Sequence, residues 1–180
     1  VTAFIATVSK IGVFAVLLRF AQSVNLQQYP LLMSTFSVIA IASMIVGNLL
    51  ALRQQNIKRL MGYSSIAHFG YLLVAFLPGN TAGVEAAAFY LIAYSITLLA
   101  VFGVISVLST RMKDAEDLAM YKGLLYKRPI LSAVLIISFL SLAGIPLTAG
   151  FIAKFFVLAS GVHQHLWLPV IVLVITSVIG

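Results

Sequence analysis

Apolar residues run along this chain in six blocks, residues 1–20, 31–51, 62–77, 84–108, 129–160 and 166–180, separated by short stretches that carry most of the charge. A helix needs about 20 apolar residues to cross the hydrocarbon of a bilayer. The pattern therefore predicts an all-α polytopic bundle of about six transmembrane segments, the first and last incomplete.

The fifth block departs from that pattern. Its 32 residues would make a straight rod of roughly 48 Å against a hydrocarbon core of about 30 Å. The stretch 143–154, AGIPLTAGFIAK, supplies a break: Pro146 cannot donate to the carbonyl of Leu142, and Gly144 and Gly150 loosen the backbone on either side. One discontinuous helix over 129–160, broken at 143–150, is expected. Unwound backbone at membrane depth survives only where protein or a water-filled cavity satisfies its polar groups, and transporters place ion sites at such breaks.

Composition agrees. The chain is 62% hydrophobic and 8% charged with mean hydropathy +1.14, whereas soluble domains carry about 25% charged residues. The first block lacks a basic n-region and a small-residue cleavage site, so insertion is expected to rely on the helices themselves. The chain begins at Val1 and stops at Gly180 inside an apolar stretch, and reads as one membrane domain excerpted from a longer polypeptide. With no cysteine it can form no disulfide, thiolate metal site or iron-sulfur cluster of its own.

The net charge of +7 raises the possibility of nucleic-acid binding, but placement decides its meaning. Arg53, Lys58 and Arg59 lie between blocks two and three, and Arg111, Lys113, Lys122, Lys127 and Arg128 between blocks four and five, whereas residues 21–30, 78–83 and 161–165 hold no Lys or Arg. By the positive-inside rule, loops 52–61 and 109–128 are expected to be cytoplasmic and the other three periplasmic. The basic charge thus reads as topology, with no nucleic-acid partner.

Asn25, Gln27, Gln28 and Pro30 form an outer polar loop, and Pro30 suits a helix start. Block two is rich in small residues (Ser34, Ser37, Ala40, Ala42, Ser43, Gly47), which predicts burial in the bundle. Residues 109–128 mix Leu118, Met120, Tyr121, Leu124 and Leu125 with acids and lysines, a pattern expected of a short interfacial helix. The hydroxyls of Tyr90, Tyr94, Ser95 and Thr97 in block four are expected to bond backbone carbonyls or neighbouring helices.

Two lysines stand where lipid would be the neighbour. Lys10 precedes the apolar run Ile11–Leu18 with only Thr2, Thr7 and Ser9 as polar company, and Lys154 lies among Phe151, Ile152, Phe155 and Phe156. A lysine at the centre of a crossing costs about 2.5–3.5 kcal/mol on insertion scales. Snorkelling to the headgroups would accommodate Lys10 if its helix starts near Val1. Lys154 follows the break, where water is expected, and is read as functional. Lysine, unlike arginine, can give up its proton when buried, which suits a relay. His68 lies one turn from Ser64 beside Tyr63 and Ser65; a satisfied polar side chain and a relay member are both open readings, and Tyr63, Ser64 and His68 are carried as candidates with the lysines. His163 and His165 beside Trp167 match no metal-ligand spacing, and neither a nucleotide loop nor a zinc motif occurs. Glu85 stands at a helix end, so no buried acid is present to partner the lysines.

The string Asn56–Phe76, NIKRLMGYSSIAHFGYLLVAF, closely resembles the antiporter-like membrane subunits of respiratory complex I, the proton-pumping NADH:quinone oxidoreductase. Val1–Phe20 and Ser141–Val157 most resemble bacterial members of the subunit N type, and the resemblance spans the whole chain. It implies two inverted five-helix repeats, each with a broken helix, around a hydrophilic axis, with residues 1–20 the last helix of the first repeat and 31–180 most of the second. Lys10 matches the family's central-axis lysine and Lys154 the lysine of the second broken helix, used near the exit side. The upstream glutamate and the lysine of the first broken helix have no counterpart here.

The expectation is a proton-translocating subunit with no redox catalysis and no bound cofactor, placed in a bacterial inner membrane. NADH, FMN, iron-sulfur clusters and quinone are implied for the whole complex; other membrane subunits, lipid, water and protons are the partners. A related cation/proton antiporter or membrane-bound hydrogenase subunit, or a non-conducting structural module, are the alternatives.

Overall fold

The computed structural model describes residues 2–24, 28–109 and 115–180, leaving aside the side chains of 2–8 and 22. Asn25, Gln27, Arg111, Lys113 and Asp114, and the side chains of Thr2 and Thr7, lie outside the described residues. The helices are α1 (Thr2–Ser23), α2 (Pro30–Leu52), α3 (Ile57–Phe76), α4 (Thr81–Leu108), a one-turn α5 (Leu124–Lys127), α6 (Pro129–Ala143), α7 (Ala149–His163) and α8 (Trp167–Ile179). Six crossings result, the fifth shared by α6 and α7. Among the described residues, α2 and α4 alone are long and apolar enough to cross by themselves, with mean hydropathies of 2.1 and 2.4.

Capping residues place the helix starts better than the apolar runs do. The third helix begins at 57 rather than 62, because the Asn56 side chain accepts from the backbone N–H groups of Lys58 and Arg59 and satisfies two otherwise orphaned donors. Asn80 does the same for Gly83 at the start of α4. Pro30 and Pro129 occupy the first positions of α2 and α6, where a missing N–H costs nothing.

Helices α3 and α4 form the centre. From Ala67 to Phe76 almost every residue of α3 is buried. On α4, Ala87, Tyr90, Leu91, Tyr94, Leu98, Val101, Val104 and Ile105 repeat at one-turn spacing along the buried face. Helix α1 lies against α4 and its fully buried Phe14 meets Phe69 of α3, α2 packs on α3 and α8, and α7 fits between α3 and α4.

Two expectations need correction. Helix α2 is not enclosed by this chain: Ala40, Met44, Gly47 and Asn48 are buried, but Ser34 and Ala42 are exposed. The small residues serve one stripe facing α3, and Val38, Ile39, Ile45, Val46 and Leu49 present an apolar outer face. Nor do the described residues of 109–128 form one interfacial helix. A 3₁₀ turn (Leu118–Tyr121) and α5 are joined through Lys122 and Gly123. Residues 116–118 are strapped to the start of α3, with the Ile57 amide donating to the Glu116 carbonyl at 2.7 Å and the Leu118 amide to the Gln55 carbonyl at 3.0 Å. Backbone pairing with 55–57 wins over helix formation because the Asn56 cap leaves those groups extended and free to pair.

The strap carries an ion pair, Lys58 Nζ to Glu116 Oε1 at 2.7 Å, and Asn56 Nδ2 donates to the other carboxylate oxygen at 2.8 Å. The Lys58 ammonium first, and then Asn56, hold the Glu116 carboxyl below its usual value. A depressed carboxylate stabilises the folded strap above the ordinary glutamate range and loses that contribution as pH falls through the folded value. Exchange protection of the Ile57 and Leu118 amides, corrected for intrinsic rate, is therefore expected to be flat from neutral pH to about pH 5 and to decline only below about pH 4. Lys58→Met should move the decline to higher pH; an unmoved profile would rule out the ion pair as its source.

Candidate functional site

The break in the fifth crossing is built by three local devices. At the end of α6, Gly144 adopts φ +80°, its N–H donates to the carbonyls of Leu140 and Ser141, and the Ile145 N–H returns to Leu140, the closing pattern of a helix ended by a left-handed residue. Ile145–Leu147 form the turn. Thr148 then caps α7, its hydroxyl accepting from the Phe151 N–H at 3.3 Å. Helix α7 starts beside the last turn of α6, not beyond it: the Gly150 amide donates to Ser141 Oγ at 3.1 Å, and a Cβ on Gly150 would clash with the Ser141 carbonyl oxygen. This side-by-side overlap is how 32 apolar residues fit a core too thin for a straight rod.

Ending a helix leaves carbonyls without donors. Pro146 lacks the N–H that would have paired with Leu142, and the vacancy is filled by Lys154. Its Nζ donates to the carbonyls of Leu142 and Ala143, both at 2.9 Å, and to Ser177 Oγ of α8 at 2.8 Å. The ammonium sits at the negative end of the α6 dipole and 5.0 Å from the Tyr71 ring centroid, a cation–π distance. Lys154 is 6% exposed, so the snorkelled arrangement is excluded. Gly144 serves here too, since a Cβ would meet Lys154 Cδ at 2.8 Å.

A second polar group begins at Lys10. Its Nζ donates to Ser65 Oγ at 2.5 Å and lies 5.7 and 5.9 Å from the Phe69 and Tyr94 rings. Lys10 points inward, against the snorkelling arrangement that its position allowed. Ser65 Oγ also accepts from the Tyr94 hydroxyl at 3.0 Å while donating back to the Met61 carbonyl. The Tyr94 ring stacks on His68 at 4.8 Å, and His68 Nδ1 shares a 2.6 Å hydrogen bond with the Tyr90 hydroxyl. His68 meets the edge of Tyr71 at 5.4 Å. The Tyr71 hydroxyl accepts from Asn48 Nδ2, which also donates to the Thr176 carbonyl.

Two voids connect these groups. One of about 10 Å³ is lined by His68, Tyr90, Tyr94, Thr97, Ser141 and Lys154 with a mostly apolar surface, at the lower bound of the volume that holds one water molecule. The other, about 460 Å³, runs from Lys154, His68, Tyr71 and Asn48 past Ser64 to Gln54, Leu60 and Leu118 at the basic end of the bundle.

Of the five candidates read from the sequence, Lys10, His68 and Lys154 join one polar file and Ser64 lines its larger cavity. Tyr63 lines neither void, and its carbonyl packs near Gly47. The partner of His68 is Tyr90, not Ser64, because the histidine faces α4 across the helix interface. Ser65, Tyr71, Tyr90, Tyr94, Asn48 and Ser177 escaped selection. A signal existed for three of them: Ser65 stands one turn from the candidate His68 on α3, and Tyr90 one turn from Tyr94 on α4, so one face of each helix presents two polar groups at matching heights. Thr97 does bond back to the Ala93 carbonyl as expected. His163 and His165 are exposed, and no cluster of three metal-ligating side chains occurs among the described residues.

A helical bundle that keeps two ammonium groups, a histidine and a row of hydroxyls in its interior, around a broken helix, is a polytopic membrane protein with a polar axis. The chain belongs to the family described as "NADH:quinone oxidoreductase/Mrp antiporter, TM", which it matches over residues 1–180. It is 53% identical over 182 residues to the NADH-quinone oxidoreductase subunit N of Ectopseudomonas mendocina, with all of this chain and 37% of that protein covered. Among solved structures it resembles a chain of "Respiratory complex I from Thermus thermophilus with bound Aureothin", with a TM-score of 0.74 and 35% identity over 81% of this chain and 33% of that one. The chain thus spans about a third of the length of these relatives.

Proposed function

We propose that the chain is the membrane-embedded, proton-translocating part of an NADH:quinone oxidoreductase subunit of the N type. The observation that carries the proposal is the polar file Lys10–Ser65–Tyr94–His68 ending beside Lys154 at a water-sized void. Lysine amines exchange protons when dehydrated, and hydroxyls and water pass them on. In this reading a proton moves between Lys10 and Tyr94 through Ser65, crosses to His68 and Lys154 by way of the small void between them, and meets water in the larger cavity. The resemblance puts Lys154 near the exit side. The cavity beside it leads instead toward Gln54 and Leu118, which supports exchange between Lys154 and the basic end.

Helix α1 is then the last helix of one inverted repeat and residues 31–180 most of the next. The basic segments 52–61 and 109–128 face the cytoplasm of a bacterium, and loops 21–30, 78–83 and 161–165 the periplasm. NADH, FMN, iron-sulfur clusters and quinone belong to other subunits, whose redox chemistry drives the protons; those subunits and the surrounding lipid are the partners.

The test is Lys10→Met in the full-length subunit within the reconstituted assembly. Proton uptake by vesicles should fall at least about tenfold, given that a positioned proton-transfer group contributes about 10²–10⁴-fold, while the subunit remains assembled. Unchanged pumping would reduce Lys10 to a packing residue. Pumping that requires sodium would favour a cation/proton antiporter instead.

A further inference from the structure

A buried cation is ordinarily paired with an acid. Among the described residues neither Lys10 nor Lys154 has one: Glu116 is paired with Lys58, Asp117 accepts from the Ala119 amide, and Glu85 is exposed near the start of α4. The Lys154 ammonium has three N–H donors, and these go to neutral acceptors, the Leu142 and Ala143 carbonyls and Ser177 Oγ. Beside it stands an aromatic face. Lys154 Nζ lies over the Tyr71 ring, 5.0 Å from its centroid, and the negative potential of such a face attracts a cation most strongly where water is excluded.

That ring is held from several sides. Tyr71 is 2% exposed. Its hydroxyl accepts from Asn48 Nδ2 at 2.9 Å, and the same amide group donates to the Thr176 carbonyl at 3.1 Å, which ties α2, α3 and α8 together at this point. One turn earlier on α3, His68 packs against Tyr71 nearly at a right angle, with ring centroids 5.4 Å apart. Tyr71 therefore touches two of the groups that line the small void, His68 and Lys154, through its ring and not through a hydrogen bond.

We propose that Tyr71 is a positioning residue of the proton relay whose ring face takes the place of a carboxylate beside Lys154, a role that rests on the reading of Lys154 as a relay group. A full negative charge at this spot would pin the ammonium in its charged form. The quadrupole of a ring attracts it less strongly; it keeps the amine seated at the end of α6 and still lets it surrender the proton. Asn48 fixes the angle of the ring and so acts through Tyr71. Tyr94 repeats the arrangement at the other end of the file, with Lys10 Nζ 5.9 Å from its ring centroid and His68 stacked on it. The Tyr94 hydroxyl bonds Ser65 within the file, whereas at Tyr71 the ring can be tested apart from the relay's hydrogen bonds.

The test places phenylalanines carrying one, two and three ring fluorines at position 71 of the full-length subunit in the reconstituted assembly. Each fluorine draws negative potential from the ring face and leaves its shape nearly unchanged. Proton pumping is expected to fall stepwise along the series. Tyr71→Leu should lower it at least about tenfold, the size of one desolvated cation–π contact, and Tyr71→Phe should recover most of that loss because it keeps the ring. A flat fluorine series or full pumping by Tyr71→Leu would overturn the proposal. So would a loss in Tyr71→Phe as large as in Tyr71→Leu, which would give the role to the hydroxyl. The fluorine series decides the matter even if the leucine variant fails to assemble. Lys154→Met in the same assay separates the two levels: normal pumping by that variant ends the relay reading and this role with it, whereas lost pumping alongside a flat series ends the role of Tyr71 alone.

Discussion

Lys154→Met in the full-length subunit is expected to lower proton pumping by at least about tenfold while the assembly still forms. The Lys154 ammonium has two roles that the structure allows to be separated. It satisfies the Leu142 and Ala143 carbonyls left free at the end of α6, and in the proposed relay it exchanges a proton across the water-sized void shared with His68. Methionine fills the side-chain volume but offers neither donors nor a proton. Each abandoned carbonyl costs about 1–3 kcal/mol if it stays dry. The 460 Å³ cavity touches Leu142 and Ala143, so water can take the place of the ammonium and assembly is retained. Lys154→Arg is the sharper companion, because arginine keeps the positive charge and the N–H donors but does not release its proton at any working pH. It should hold the helix ends and still fail to pump. Dye-monitored acidification of proteoliposomes, alongside quinone reduction and the assembled fraction on a native gel, reads both effects. Normal pumping by the arginine variant would reduce Lys154 to a helix cap.

Gly150→Ala is expected to have the largest structural effect of any single methyl added to this chain. Its Cβ would clash with the Ser141 carbonyl oxygen and stand 2.7 Å from the Ser141 carbonyl carbon, and both are backbone, so no rotamer change relieves the contact. Overpacking costs typically about 1–3 kcal/mol and occasionally more; the rigid partner places this case at or above the upper end. The half-helices must separate, which also removes the Gly150 amide from Ser141 Oγ. Gly144→Ala is the contrasting change. Left-handed backbone costs a non-glycine residue about 1–2 kcal/mol, but the new methyl meets Lys154 Cδ, the middle of a flexible side chain. That variant should assemble with a displaced ammonium and impaired pumping, whereas Gly150→Ala should lower both the thermal midpoint of the solubilised protein and the assembled fraction. Equal behaviour of the two would contradict the overlapped geometry of α6 and α7.

The two glycines also mark where sequence reasoning stops. That the fifth block must break was legible, because 32 apolar residues overrun the membrane and Gly144, Pro146 and Gly150 sit together. How it breaks was not: a left-handed glycine cap and a threonine cap could equally leave the second half continuing along the same axis, and only the packing of Gly150 on Ser141 shows the overlap. His68 teaches a similar lesson, since spacing along one helix suggested Ser64 as its partner and an adjacent helix supplied Tyr90.

Composition and apolar period alone settled the all-helical membrane class, the number of crossings, the place of the break, and the exceptional status of Lys10 and Lys154, because the cost of a charge or an unpaired carbonyl in hydrocarbon depends only on local chain and solvent. The choice of partners was settled by the tertiary structure: Ser65 for Lys10, Tyr90 for His68, and the α6 carbonyls and Ser177 for Lys154. Those contacts join residues up to 55 positions apart in the chain, and helical periodicity fixes which face a side chain occupies without fixing which neighbouring helix that face will meet.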